Sequence, residues 1–212
     1  MLLANPLNIG DSIAIFSPSS PATVTAHKRY LRGKHYLEQK GFKIIEGSLT
    51  GKRDYYRSGS IKERANELND LIHNKEVRCI MAAIGGMNSN SILPYIDYEA
   101  LKKNPKIIIG YSDVTALLLG IYAKTGLVTY YGPAMVASFG EFPPFVDKTY
   151  HYFEDLLMGK ACIPYSPVMP PNWTDEYINW DTHPMITLPI GCDIELDSEQ
   201  KKVTIVESLI NL

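Results

Sequence analysis

KIIIGYSDVTALL, residues 106–118, joins an apolar run to a helix-patterned run through one glycine and one serine. The apolar run predicts a buried strand, and the residues after it predict a helix. Ser112 lies on the turn between them. A hydroxyl on a sharp strand-to-helix turn is exposed in the positive field of a helix N-terminus, which is how several α/β hydrolases hold a nucleophile. The alternative is that Ser112 only caps the helix, as serines often do.

Strand and helix signals alternate along the first two-thirds of the chain. The patterns predict strands at 12–16, 42–45, 77–84, 107–109 and 128–131. They predict helices near 24–39, 61–72, 88–95, 114–121 and 146–157. Ser60 and Glu63 have capping-box spacing. Repeated β-α-β units predict an α/β fold with a mainly parallel sheet flanked by helices, and ligand sites in such sheets form at the carboxyl ends of the strands.

Composition limits the classes of partner. The 212 residues include 21 basic and 23 acidic ones, a net charge of −2, which argues against nucleic acid or an anionic membrane as the main partner. No apolar run approaches the roughly 18 residues of a membrane span, and the first residues lack a signal-peptide pattern. Three widely spaced cysteines form neither a disulfide framework nor a zinc pattern. We expect a cytoplasmic protein with no metal and no cofactor.

Gly85 and Gly86 follow the third predicted strand and fall at the same sheet edge as Ser112. Glycines there let backbone N–H groups approach an anion closely. The segment lacks both G-x-G-x-x-G and the lysine of a P-loop, so it gives little support to a dinucleotide site. Beside Ser112, it suggests an oxyanion hole made by the N–H groups of Gly86 and Asp113. The alternative is a tight turn with no ligand. The candidate substrate contacts are Gly85, Met87 and Asn88.

Four segments in order resemble one known family. They are GDSIAI (10–15) with the Pro-Ser pair at 18–19, IGGMNSN (84–90), IGYSD (109–113) and YGP (131–133). Together they resemble the LD-carboxypeptidase family of serine peptidases, and residues 86–98 look most like its microcin C immunity branch. The resemblance runs from about residue 8 to residue 181.

The resemblance implies a Rossmann/flavodoxin-like N-terminal domain and a Ser–Glu–His triad. In the family, the nucleophile lies on the α/β domain, and the glutamate and histidine come from a C-terminal β-rich domain. Ser112 matches the nucleophile, and the backbones of Gly86 and Asp113 match the oxyanion positions. No metal is implied.

The chain departs from the family near Asp181. The Gly-Gly-Asn-Leu-type segment and the catalytic glutamate are missing, which we interpret as an internal deletion. We therefore predict a nucleophile-bearing α/β domain at 1–160, a Pro-rich connector and junction at 161–184, and remnant strands of the C-terminal domain at 185–212. Those strands lose their partners in this interpretation, and unpaired edges predict a homodimer.

Aligning residues 182–184 on the family's Thr-x-Pro motif puts Asp181 where the catalytic histidine belongs. His183 is then the best substitute base. A serine is a poor nucleophile without a base in hydrogen-bond reach. Trp173 and Trp180 either stack on the adenine of a substrate or anchor the connector, and the second role is favoured.

The resemblance implies a serine peptidase that hydrolyses an amide through an acyl-enzyme on Ser112. Its substrate would be a murein L,D-peptide or a peptidyl-nucleotide. Because the family's glutamate and histidine are missing, we expect impaired activity. The alternative is a non-catalytic remnant or binding domain of the same fold.

Overall fold

A computed structural model describes residues 1–168 and 185–207. The strands are β1 Ser12–Phe16, β2 Lys43–Glu46, β3 Val77–Ala82, β4 Ile107–Gly110, β5 Thr129–Tyr131, β6 Leu188–Ile190, β7 Ile194–Asp197 and β8 Lys202–Ile205. The α-helices are α1 Ala22–Thr25, α2 His27–Gln39, α3 Ile61–His73, α4 Tyr98–Lys103, α5 Thr115–Thr125 and α6 Phe145–Leu157. Ser89–Tyr95 and Ser112–Val114 are 3-10 turns, and Met135–Phe139 is a π-helical turn.

The main sheet has the strand order β2-β1-β3-β4-β5-β6. The first five strands are parallel, and β6 is antiparallel to β5. This mainly parallel sheet flanked by helices confirms the predicted fold class. The chain moves from β1 to β2 on one side and then to β3 on the other, so the order reverses between β1 and β3. In doubly wound sheets, ligands bind at the carboxyl ends of the strands beside such a reversal.

Two apolar layers cover the faces of the sheet. In β1, Ile13 and Ile15 enter one layer, and Ala14 and Phe16 enter the other, because alternate side chains of a strand point to opposite faces. The first layer contains buried residues of α2 and α6, and the second contains buried residues of α3 and α5. Burial on both faces explains why the strands have nearly continuous apolar sequences.

Most predicted elements are present, with two differences. The helix predicted at 24–39 is two helices, because Ala26 leaves the helical region with φ −127° and ψ 44°. The helix predicted at 88–95 is a 3-10 turn that contains Pro94. The capping box is confirmed. Glu63 N–H donates to Ser60 Oγ at 3.3 Å, and Ser60 N–H donates to the Glu63 carboxylate at 2.8 Å.

The strands after residue 185 have partners within the chain, so the prediction that they are unpaired is wrong. Leu188–Ile190 extends the main sheet through β5, and β7 pairs with β8 in a separate antiparallel hairpin. Ile205 also bridges to Tyr165. The prediction failed because it assumed that the only partners of these strands would lie in a block interpreted as deleted. The homodimer stays a prediction, without this premise.

Within residues 1–168 and 185–207, no helix is long and apolar enough to cross a membrane. Over the same ranges, no group of three or more His, Cys, Asp or Glu side chains is arranged to hold a metal ion.

Candidate active site

Ser112 has a strained backbone and an exposed side chain. Its φ is +59°, a left-handed conformation that costs a non-glycine residue about 1–2 kcal/mol. Tyr111 before it is extended and occupies the N-cap position of the 3-10 turn, and no side-chain cap bond forms there or at α5. The interpretation of Ser112 as a helix cap is therefore wrong. The strained turn holds its hydroxyl at the carboxyl end of β4, at the start of a helical segment.

Glycine at position 110 permits the sharp turn at Ser112, because the neighbouring residues leave no space there for a side chain. A Cβ added to Gly110 would lie 2.8 Å from Val114 Cγ1 and 2.9 Å from Ala82 Cβ. Such distances are shorter than van der Waals contact, so β4 can turn this closely over β3 only with glycine at 110. The glycine before the serine is thus required by packing.

Gly85 and Gly86 lie directly against the Ser112 turn. A Cβ on Gly85 would lie 3.2 Å from Ser112 Cβ and 3.1 Å from the Asp113 nitrogen. Gly86 has φ +155°, and a Cβ there would overlap Ser19 Oγ and lie 2.7 Å from Ser19 Cβ. The two glycines therefore allow the loop after β3 to contact both the loop after β1 and the Ser112 turn.

The N–H groups of Gly86 and Asp113 donate no hydrogen bond to any residue in the described part of the chain. The Gly85 contacts place the Asp113 nitrogen beside the loop that carries Gly86. Two free backbone donors next to an exposed serine are the arrangement that stabilises an oxyanion. Their role as an oxyanion hole stays a prediction.

The Asp113 side chain joins the Ser112 turn to the loop that follows Gly86. Its carboxylate accepts the N–H groups of Asn88 and Ser89, each at 3.1 Å. Ser89 Oγ donates to the Asp113 carbonyl at 2.6 Å. This side chain therefore fixes the loop after β3 against the Ser112 turn, a contact that the sequence did not indicate.

The other candidate substrate contacts differ in availability. Met87 is 85% exposed beside the glycine pair. Asn88 is engaged within the protein, since its Oδ1 accepts from Ser19 Oγ at 2.9 Å and from Arg64 at 2.9 Å. The geometry therefore leaves Met87 free to contact a substrate and gives the Asn88 side chain a part in holding the loop. Both substrate contacts remain predictions.

No base contacts Ser112 among residues 1–168 and 185–207, where its Oγ forms no hydrogen bond. His27 contacts the Thr23 carbonyl at 3.0 Å, and His73 contacts Asp97 at 2.9 Å. His151 lies near the carboxylates of its own helix, and His35 is exposed on α2. His183, Trp173, Trp180 and the junction at Asp181 lie outside the described residues. Their expected roles therefore stay predictions.

Glu141 follows the π-helical turn and is buried. Its carboxylate forms an ion pair with Arg29, whose guanidinium also donates to the carbonyls of Val136 and Ala137. The Glu141 carboxylate therefore stabilises the π-helical turn through Arg29 and is already paired within the protein.

Two buried charged residues of α3 were missed by sequence analysis. Arg64 and Glu67 are each 1% exposed. Burial raises the pKa of Glu67 to about 7, although its carboxylate accepts the N–H groups of Leu49 and Ser17 at 2.7 and 2.9 Å. Arg64 directly precedes Ala65 and Glu67 directly precedes Leu68, and both of these neighbours are buried apolar residues of the second layer. That adjacency is a weak signal, because residues flanking a stripe are usually solvated.

Comparisons with known proteins give one family model and several similar relatives. The model of the LD-carboxypeptidase N-terminal domain matches residues 13–132. A Vibrio cholerae protein described as a carboxypeptidase is 65% identical over 86% of this chain and 54% of its own length. The microcin C7 self-immunity protein MccF of Escherichia coli is 58% identical over 87% of this chain and 54% of its own.

Solved structures of MccF superpose on this chain with a TM-score of 0.81 and 55% identity, covering 92% of this chain and 59% of theirs. They include complexes with aspartyl sulfamoyl adenosine and glutamyl sulfamoyl guanosine. The chain thus spans about half the length of the curated relatives that it matches.

Proposed function

This chain belongs to the LD-carboxypeptidase family of serine peptidases, and from that premise we propose that Ser112 is its acylated nucleophile. The observation that carries the proposal is the strained, exposed Ser112 on a strand-to-helix turn. A backbone cost of this size persists where surrounding structure enforces it, and such strain is concentrated at functional sites. The adjacent N–H groups of Gly86 and Asp113, which donate no hydrogen bond to residues 1–168 or 185–207, support the same role.

The proposed reaction is acyl transfer. Ser112 Oγ attacks the amide carbonyl carbon, and its proton passes to a base or to solvent. The carbonyl oxygen becomes an oxyanion that accepts the N–H groups of Gly86 and Asp113. Its collapse breaks the C–N bond, the amine leaves with a proton, and water then hydrolyses the ester on Ser112.

The rate depends on a base that the described residues do not supply. Loss of triad members leaves only the contribution of the oxyanion site and substrate binding, lowering the rate by about four to six powers of ten. We propose that an internal block near Asp181 is missing and that the expected glutamate and histidine are missing with it. His183 is the proposed substitute base. The division into 1–160, 161–184 and 185–212 belongs to the same proposal.

The proposed substrate is a small peptide or peptidyl-nucleotide. The MccF complexes support the nucleotide class, because both ligands join an acidic aminoacyl group to a nucleoside through a sulfamoyl linkage. A murein L,D-peptide is the alternative within the family. Trp173 or Trp180 would stack on the nucleobase if it is bound.

A second function is binding without turnover. It is favoured by one observation, the lack of a hydrogen-bonded base at Ser112 among the described residues. In this case, the fold and the glycine turn would be retained while the nucleophile would be unused.

Turnover and binding separate the two functions. The chain and Ser112→Ala are incubated with aspartyl sulfamoyl adenosine and with an L,D-tetrapeptide, and products are quantified by mass spectrometry. We expect slow hydrolysis of the nucleotide that Ser112→Ala abolishes. Equal product from both proteins contradicts a nucleophilic Ser112. Calorimetric binding with no product supports the second function.

A further inference from the structure

Arg64 is a buried cation on α3, four residues after the cap Ser60. Its guanidinium donates to the carbonyls of Pro18 at 2.6 Å and Gly59 at 3.0 Å. It also donates to the Asn88 carbonyl at 3.0 Å, to Asn88 Oδ1 at 2.9 Å and to Ser91 Oγ at 3.2 Å. One planar group therefore joins the loop after β1, the turn before α3 and the loop after β3.

All five acceptors are neutral, and no carboxylate in the described part of the chain forms an ion pair with Arg64. Burying a cation costs several kcal/mol unless its donors are satisfied. Burial accordingly lowers the pKa of Arg64, although a guanidinium stays charged. An apolar residue at position 64 would avoid this cost. The arginine is therefore best explained by the loops that it holds.

Asn88 links Arg64 to the candidate oxyanion site. Its N–H donates to Ser19 Oγ at 3.2 Å and to the Asp113 carboxylate at 3.1 Å, while Arg64 binds its carbonyl and its side chain. Ser19 Oγ also accepts the N–H of Met87 at 3.1 Å. The two residues after Gly86 are thus fixed from three sides. The Gly85 carbonyl, in the same peptide plane as the Gly86 N–H, accepts the Ser20 N–H at 3.1 Å. Arg64 holds both flanks of this peptide, through Pro18 on the loop after β1 and through Asn88, and so contributes to the direction of the Gly86 N–H.

We propose that Arg64 is a positioning residue that aims the Gly86 N–H at the oxyanion formed on Ser112. The inference rests on the proposed function of Ser112. Arginine suits this task because its donors lie in one rigid plane, whereas a lysine is a point charge on a flexible stem. The fork geometry, rather than the charge alone, is what the role requires.

The test is the rate at which an alkyl fluorophosphonate modifies Ser112. In this reaction, Ser112 Oγ forms a bond to phosphorus, the P–F bond breaks, fluoride leaves with the electron pair, and the serine proton goes to solvent. The phosphoryl oxygen carries the developing negative charge, so the rate reports on the oxyanion site without a complete triad. Intact-mass spectrometry follows the modification, and its dependence on reagent concentration separates the limiting rate from the binding constant.

The variants are Arg64→Met and Arg64→Lys, with Lys106→Met as the matched control. Lys106 is also a buried cation, and it donates to neutral acceptors, the carbonyls of Asn74 and Val77. It lies at the amino-terminal ends of β3 and β4, away from Ser112. Both arginine variants are expected to lower the limiting rate at least tenfold with little change in the binding constant. Lys106→Met is expected to react within about twofold of the unmodified chain, because Lys106 contacts neither loop beside Ser112. This variant measures how much a general loss of stability alone changes the rate.

The outcomes distinguish failure of the positioning role of Arg64 from failure of the proposed function of Ser112. Failure of the unmodified chain to react, or equal reaction of Ser112→Ala, contradicts the proposed function and the inference together. If the chain reacts at Ser112 and folded Arg64 variants react as fast, only the inference is overturned. A wild-type rate in Arg64→Lys alone shows that charge suffices and also overturns it.

Ser91→Ala covers the case in which neither Arg64 variant folds. It keeps the arginine but removes one acceptor of its guanidinium, together with the bond that Ser91 Oγ donates to the Asn88 carbonyl at 2.6 Å. A slower limiting rate supports the positioning role, and an unchanged rate overturns it.

Discussion

Gly86 combines two constraints that a single methyl group would violate. Its φ of +155° disfavours any side chain, and an added Cβ would overlap Ser19 Oγ. We expect Gly86→Ala to lower the free energy of unfolding by about 2–3 kcal/mol, since backbone strain and overpacking add. Urea denaturation followed by circular dichroism measures this change.

Gly126→Ala is the control for backbone strain alone. Gly126 ends α5 with φ +71°, and a Cβ there would meet nothing within 4 Å. Its substitution is expected to cost about 1 kcal/mol. Equal costs for the two variants would show that the contact between Gly86 and Ser19 is not tight.

The N-terminus of α3 is held by the reciprocal bonds of Ser60 and Glu63. Ser60→Ala removes the acceptor of the Glu63 N–H and is expected to lower the free energy of unfolding by about 1 kcal/mol. Ser60→Gly is expected to cost only a few tenths of a kcal/mol, because a residue with no side chain leaves the N–H groups of the first turn accessible to water. Urea denaturation of both variants tests the difference, and a larger loss for glycine would contradict it.

The elements that sequence analysis predicted well are those with a local cause. Capping-box spacing placed α3, and continuous apolar runs placed β3 and β4, because both signals arise within a few residues. Ser112 was found because a glycine and a serine lie between a strand pattern and a helix pattern. The two-helix break at Ala26 had no comparable residue, such as a proline or glycine, to mark it.

The contacts that sequence analysis missed depend on segments far apart in the chain. Arg64 meets Pro18 and Asn88 only after β1, β3 and α3 have packed together, and Asp113 reaches Ser89 only when β3 and β4 pair. The partner of β6 was also missed, since an isolated apolar segment does not indicate which edge it will join. Tertiary pairing, rather than local propensity, supplied this information.

For the whole molecule, the homodimer prediction needs a surface other than unpaired strands. Pro189 lies at the centre of β6 and has no N–H to donate, which protects that edge from pairing. Ile194 and Leu196 are exposed apolar residues two apart on β7, so they share a face. We expect a homodimer to bury this face, because exposed apolar patches are common interaction sites.

Light scattering coupled to size-exclusion chromatography tests this surface. The unmodified chain is expected to elute at twice the 23.8 kDa monomer mass, and Leu196→Lys at the monomer mass. Glu195→Lys, between the two apolar residues and on the opposite face, controls for added positive charge and should leave the mass unchanged. A monomeric unmodified chain would contradict the homodimer.

Glu67 makes global stability depend on pH in a direction opposite to that of most carboxylates. Burial raises its pKa to about 7, with Asp70 adding to the rise and Lys52 opposing it. An unfolded glutamate titrates near pH 4.3, so between about pH 4.5 and 7 the folded state holds a proton that the unfolded state has lost. The free energy of unfolding therefore falls as pH rises through this window, by about 3.5 kcal/mol in all, and it levels off once the pH is above the folded pKa.

Denaturation curves from pH 4.5 to 8 measure this slope in Glu67→Gln and in Glu63→Gln. Glutamine cannot titrate, so the first variant is expected to lose the falling component of the stability curve. Glu63 lies one turn earlier, and its bonds to Ser60 lower its pKa, so its stabilising effect is lost only as pH falls below the unfolded value. The second variant should therefore keep the slope between pH 4.5 and 7. A slope that persists in Glu67→Gln would mean that the Leu49 and Ser17 N–H groups keep this carboxylate charged, and that its burial is compensated by these two bonds.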